Sequence, residues 1–425
     1  MTWCFPLITP HNSSVSPAFP SKLGKGRYFV APGLVLFLLA SGCAKGAQRT
    51  GTPNLRTTVS VLEKTGTTTS QRVTYGIDIN QFDQDIGPAK VRQVMTMASS
   101  IGARAIRIGA SWSSSEPTPG TFNWRPLETI FQDANSLGLT VLLELGNEPT
   151  WDAIGGNTSS PPADCASLSS SCSAVTTYVS ALVRQAKPLG LKYLIVRNEP
   201  QNFNKNWVGG SSGAFAHYQQ VVYQTAHSAD PQISILSGGT ESASPTLIGL
   251  RNSLGPITPY ENEASQFAQD LYLNPSWCNS IDILDIHVGD HGPVYSPQIV
   301  DSSESALESC NGNRHTPVWV TEVGYPSDAS LQGSNVYQVE LANKYTGGQA
   351  GQARFLSDTF RALSSDPNVI GVNWTFMIDP NPVNENVSNM SYNQSFSLGI
   401  SAGLAYSNYQ TQQAYNTFSL VAEYH

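Results

Sequence analysis

Eight short apolar runs recur along the chain from Tyr75 onward: "YGIDIN", "ARAIRIGA", "TVLLEL", "KYLIVRN", "ISILSGG", "IDILDIH", "PVWVTEV" and "VIGVNWTFM". Most are followed by a loop and then by a stretch with helical spacing. After Ser173, for instance, Val175, Tyr178, Val179, Leu182, Val183 and Ala186 keep a 3.6-residue period until Pro188 and Gly190 end it. Strands alternating with helices predict a parallel α/β sheet, and eight strands are the number that closes a (β/α)8 barrel, the TIM-barrel fold.

The span from Tyr75 to His425 exceeds the roughly 250 residues typical of such a barrel. The surplus falls in Gly-, Ser- and Pro-rich loops such as "IGGNTSSPPADCASLSSSCS", after the third run. Loops after strands build the working face of the fold, so long third and sixth loops predict a walled cleft. A single catalytic domain over 73–425 is expected, preceded by a Thr/Gly/Ser-rich tether over 43–72.

Upstream of the tether, Lys22, Lys25 and Arg27 precede the apolar "YFVAPGLVLFLLASGC", and residues 1–27 hold no acid. A basic segment, an apolar core and a small-residue end predict an export signal over 1–42. "LASGC" resembles the lipobox of bacterial lipoproteins, with Ala40 where Leu is usual, which implies lipidation of Cys43 and a place in the bacterial cell envelope; secretion without the anchor is the alternative. Charged residues are only 13% of the 425, against roughly 25% in ordinary soluble domains. The formal charge of −8 and the lack of a basic run speak against a nucleic-acid partner.

Discounting Cys4 and Cys43 leaves Cys165, Cys172, Cys278 and Cys310. An even set in an exported chain predicts two disulfides. Cys165 with Cys172 and Cys278 with Cys310 needs the least rearrangement, and two other connectivities stay open. No CxxC suggests a zinc site, and His287 and His291 in "HVGDH" have metal-ligand spacing but follow a strand run, so no metal is expected. No GxGxxG or P-loop suggests a nucleotide cofactor, and "GGSSG" lacks the strand that a nucleophile elbow requires.

The chemistry concentrates in carboxylates at strand ends. "VLLELGNEPTW" and "LKYLIVRNEPQN" both end an apolar run on Asn-Glu-Pro, placing Glu148 after the third run and Glu199 after the fourth. Glu322 closes the seventh run, "VWVTEVGYPS". Glu199 and Glu322 would then face each other across the C-terminal mouth, where a carboxylate pair about 5 Å apart serves double displacement at a glycosidic carbon.

Over Tyr75 to His425 the chain resembles the clan of retaining β-glycoside hydrolases on (β/α)8 barrels, clan A, with its cellulase-like, mannanase-like and β-xylosidase-like families. The resemblance rests on "IRIGASWSSSEPTPGTFNW", with Arg107, Trp112, Glu116, Gly120 and Trp124, on Asn198-Glu199, and on Glu322, His287 and Trp374. It implies Glu199 as acid/base, Glu322 as nucleophile oriented by Arg107, Asn198 on the sugar 2-OH, His287 beside them and Trp374 beneath the sugar. Proximity to Glu322 is expected to raise the pKa of Glu199.

Trp374, Trp151, Trp207 and Trp112 are candidate sugar platforms, although Trp112 and Trp124 fit loop packing better. The clan's His-x-Tyr is here His287-Val288-Gly289, so its aromatic is sought in Tyr325 or Tyr295. The usual Lys-Pro ending is missing. Glu148 is expected at the rim or capping the third loop. The implied partner is a β-linked oligo- or polysaccharide, with no cofactor and with membrane contact only through the lipid anchor. A transglycosylase, which admits a sugar in place of water, and a non-catalytic polysaccharide-binding lipoprotein are the competing readings.

Overall fold

The computed structural model describes residues 72–79, 87–203, 205–241, 259–329, 332, 344–379, 402–405 and 408–424. The expected signal, Cys43 and all of the tether except Arg72 lie outside the described residues. Among the described residues, no helix is long and apolar enough to cross a membrane.

All eight apolar runs form staves of one parallel sheet. They are β1 Thr74–Asp78, β2 Ala105–Ser111, β3 Thr140–Gly146, β4 Tyr193–Ile195, β5 Ser234–Leu236 with its continuation Thr240–Glu241, β6 Leu284–Gly289, β7 Val318–Val323 and β8 Val369–Thr375. Pairing runs in sequence, and β1 also pairs with β8. The two halves of β5 complete the ring, since the first lies on β4 and the second on β6.

That break in β5 exists because two other groups need its space. A Cβ on Gly238 would lie 2.4 Å from the Arg197 carbonyl oxygen, and one on Gly239 2.0 Å from His287 Nε2. Only glycine lets the backbone pass there.

A helix follows each stave: α1 Pro88–Ser100, α2 Arg125–Ser136, α3 Ser173–Ala186, α4 Ser212–Ala229, α5 Pro259–Tyr272, α6 Gly292–Cys310, α7 Gln349–Ser364 and α8 Gln413–Tyr424. In α3 the buried set is the six residues whose period predicted it. Their stripe packs on the sheet and supplies most of what holds so short a helix, because propensity alone does not.

Inside the ring the side chains change character with height. An apolar layer of Ala105, Leu142, Ile195, Leu236, Ile283 and Trp319 plugs the barrel. Two residues further along their staves, Arg107 and Glu144 point into the same interior, so the period of two that packs the plug also delivers the charges above it. Disulfides join Cys165 to Cys172 and Cys278 to Cys310. The first closes the loop after β3 where α3 begins, and the second ties the end of α6 to the turn Pro275–Cys278.

Candidate active site

The charged layer is organised by Arg107. It is fully buried on β2, and its guanidinium meets Asp78 of β1 at 2.6 Å, Glu144 of β3 at 2.6 Å and Glu322 of β7. A buried cation is tolerable only with such partners. Burial alone would lower the Arg107 pKa, but Glu144, Asp78, Glu322 and Asp285 raise it well above its ordinary value, so its charge is permanent. Its Nη2 also donates to Asn198 Oδ1 at 2.5 Å. That bond fixes the Asn198 amide, turning its NH2 away from the arginine as a donor for something else.

Glu199 follows β4 on a loop and holds φ at 38°, a left-handed conformation that costs a non-glycine residue on the order of 1–3 kcal/mol. Its side chain is 20% exposed, and Glu322 is 21% exposed. His287 of β6 lies between them, buried, with Nδ1 2.9 Å from Glu199 Oε1 and Nε2 3.4 Å from Glu322 Oε1. His287 and Glu322 are register partners across β6 and β7, which is why they meet.

The electrostatics reverse the expectation for Glu199. Burial pushes its carboxyl up, but the hydrogen bond and charge of His287, then Arg107 and Asn202, bring it below the usual carboxylate value. Burial likewise lowers His287, yet Glu322 and the Glu199 bond outweigh it and raise the imidazole to about 9. A histidine between two carboxylates therefore takes the proton that crowding alone would have left on Glu199.

Glu199, His287 and Glu322 each offer a ligand atom within 4.8 Å of the others. A metal would need one imidazole nitrogen and both carboxylates converging on a point. Here the ring nitrogens diverge, with Nδ1 bonded to Glu199 and Nε2 at ion-pair distance from Glu322 without a hydrogen bond, and Arg107 already occupies Glu322. The imidazole is placed to hold a proton for Glu199.

Several expected residues lie elsewhere. Trp374 is fully buried and packs on Phe355 and Phe360 of α7, with its indole N–H on the Ala402 carbonyl at 2.9 Å. Its neighbour Asn373 bonds Trp319 of the interior plug, so alternation along β8 sends Trp374 outward, away from the mouth. Tyr325 is also fully buried, stacked on Phe355 with ring centroids 4.4 Å apart. Trp207 is buried against Phe215 and Tyr218, and Trp112 is stacked on Tyr178. Of the four candidate platforms only Trp151 keeps a partly exposed face, its N–H anchored to the Glu116 carbonyl at 3.1 Å. Phe376, directly after β8, is a second partly exposed aromatic.

Glu148 is not at the rim. It is 1% exposed, and both its oxygens accept from Arg197 Nη1. Arg197 also donates from Nε to the Asn206 carbonyl at 2.7 Å and lies 5.8 Å over the Trp207 ring. The first Asn-Glu-Pro thus clamps the residue that precedes the second. Asp78 and Glu144 were missed altogether, although an acid inside an apolar strand run was the available signal.

A cavity of about 190 Å3 opens beside Asn198, between the ends of β2 and β3 and the loops after β3 and β4. Its lining includes Glu144, Asn147, Ser159, Asn198, Lys205 and Asn206, with Ala110 and Leu145 as its only large or small apolar side chains.

No family model and no curated protein matches the sequence. Solved structures do match. The chain is similar to a family 39 glycoside hydrolase from the gut symbiont Bacteroides cellulosilyticus WH2, at 16% identity and TM-score 0.53, covering 84% of this chain and 64% of that one. It is similar to the exo-β-1,4-mannosidase Op5Man5 from Opitutaceae bacterium strain TAV5, at 15% identity and TM-score 0.56, covering 83% and 59%. It is also similar to GH5_18 from Streptomyces cattleya in complex with GlcNAc, at 14% identity and TM-score 0.56, covering 83% and 80%. The chain thus spans less than two thirds of the first two proteins. The likeness shows the fold. It is a (β/α)8 barrel of the kind these glycoside hydrolases share.

Proposed function

We propose that the chain is a glycoside hydrolase that cleaves β-linked glycans with retention, using Glu322 as nucleophile and Glu199 as acid and then base. The observation that carries this reading is the carboxylate pair: oxygens of Glu199 and Glu322 lie within 4.8 Å of each other. That span suits direct attack, whereas inversion needs about 6.5–9.5 Å to admit water between the groups. A pure binder gains nothing from such crowding.

The proton follows from the electrostatics. In the free site His287 holds it, largely because Glu322 is negative. As Glu322 bonds the anomeric carbon its charge disappears, and with it the main reason for His287 to keep the proton. The proton passes through Glu199 to the leaving oxygen. Water then gives a proton to Glu199 and attacks the glycosyl-enzyme, which frees Glu322 and lets His287 reclaim the proton. Asn198, held by Arg107, presents its NH2 to the sugar 2-OH.

The two disulfides suit an oxidising compartment. We read residues 1–42 as the export signal and Cys43 as the lipidated first residue, which mass spectrometry of the mature N-terminus tests. NMR of the first-formed sugar tests the chemistry: a retained β anomer is expected, and an α anomer overturns the assignment.

A further inference from the structure

We propose that the cavity beside Asn198 binds an anionic substituent of the glycan, a uronate carboxylate or a sulfate ester, through Lys205. The proposal rests on the glycoside hydrolase reading and names the substrate class of the same site. Lys205 lines the cavity and has no acidic ion-pair partner among the described residues. The other charges there are spoken for: Arg197 by Glu148, and Glu144 by Arg107.

The Lys205 backbone is fixed at the cavity's edge. Its amide and that of Asn206 both donate to the Asn202 carbonyl, at 2.9 Å each, and the Asn206 carbonyl accepts from Arg197. Lys205 itself is exposed, so its ammonium reaches the cavity from the solvent edge. The side chains of Asn147 and Asn206 add polar groups around the same space. A lining so poor in apolar side chains offers a sugar ring no stacking face, while a lone cation with neutral donors suits an anion. The cation also answers a problem the site creates. With Glu199, Glu322, Asp78 and Glu144 close by, an anionic glycan is repelled unless a positive charge meets it.

The test measures kcat/KM and equilibrium binding for β-linked disaccharides in neutral, uronate-bearing and 6-sulfated forms, with wild-type protein, Lys205→Ala and Lys205→Glu. One or both anionic forms should be preferred, which identifies carboxylate or sulfate as the ligand. Lys205→Ala should cost that form about tenfold, the scale of a charge-assisted hydrogen bond, and leave the neutral one unchanged. Added salt should erode the preference only in wild type. Turnover of neutral glycans with no anionic preference, or a preference that survives Lys205→Ala, overturns the proposal and spares the hydrolase reading. Lys205-dependent binding of an anionic form without turnover of any substrate supports the proposal and overturns the hydrolase reading. No difference in binding among the three forms overturns it.

Discussion

Removing the Glu148 side chain should destabilise the protein severely. Glu148→Ala takes both acceptors from Arg197 Nη1 and leaves a guanidinium that is only 4% exposed without its counter-charge. Breaking a buried pair in this way costs about 3–5 kcal/mol. Against a total of roughly 5–15 kcal/mol that is a large share, and it should lower Tm by on the order of 10 °C. Burial outweighs Arg197 and leaves the Glu148 carboxyl above its ordinary pKa, so the pair itself contributes little beyond an apolar replacement. The double change Glu148→Leu with Arg197→Met should therefore recover much of the loss. Activity should fall as well, because Arg197 precedes Asn198 and Glu199. Thermal and urea unfolding of the three proteins supply the assay. A rim carboxylate would change stability by no more than about 0.5 kcal/mol, and that result for Glu148→Ala would refute the buried-clamp argument.

Further outcomes are expected for one glycine, for pH and for two tryptophans. Gly239→Ala places a Cβ 2.0 Å from His287 Nε2, and displacing that ring by about 1 Å should cost roughly a hundredfold in kcat with secondary structure intact by circular dichroism. For pH, His287 is raised from 6.5 to about 9, so its stabilisation of about 3 kcal/mol is full below pH 6.5 and lost as pH rises to 9. Asp285, raised to about 6 chiefly by burial, likewise favours the folded state at lower pH, so Tm measured across buffers should decline from about pH 5 to 9. Activity should fall on the basic side near pH 9, as the shared proton leaves. Trp374→Ala should cost about 3–5 kcal/mol in unfolding assays with KM unchanged in the folded fraction, whereas Trp151→Ala should raise KM and spare stability.

The staves and outer helices were readable because their periods of two and 3.6 are set by burial itself. α3 matches its apolar stripe residue for residue. The positions of Asn198, Glu199, His287 and Glu322 were readable too, since each lies at or just past the C-terminal end of an apolar run, and Arg107 was readable as a charge inside one. What the runs did not convey was facing. Asn373 looks into the barrel and Trp374 out of it, a consequence of alternation that a motif match overrides. Pairings between distant staves stayed hidden for a related reason. Nothing local ties Asp78 and Glu144 to Arg107, or Glu148 to Arg197: Asp78 is Arg107's register partner, Glu144 lies two residues beyond its other partner Leu142, and Glu148 and Arg197 meet in the loops past β3 and β4. The direction of the Glu199 pKa shift depended on a third group, His287, whose place between two carboxylates is a property of the closed ring.

The most direct test of the central claim compares Glu199→Ala and Glu322→Ala on substrates with good and poor leaving groups, with azide added. Glu199→Ala should fail mainly on the poor leaving group, which alone needs protonation, and azide should restore turnover as the β-glycosyl azide. Glu322→Ala should be nearly inactive on both substrates, since no glycosyl-enzyme forms. Equal loss on both substrates for Glu199→Ala, or an α-glycosyl azide from it, would contradict the assigned roles.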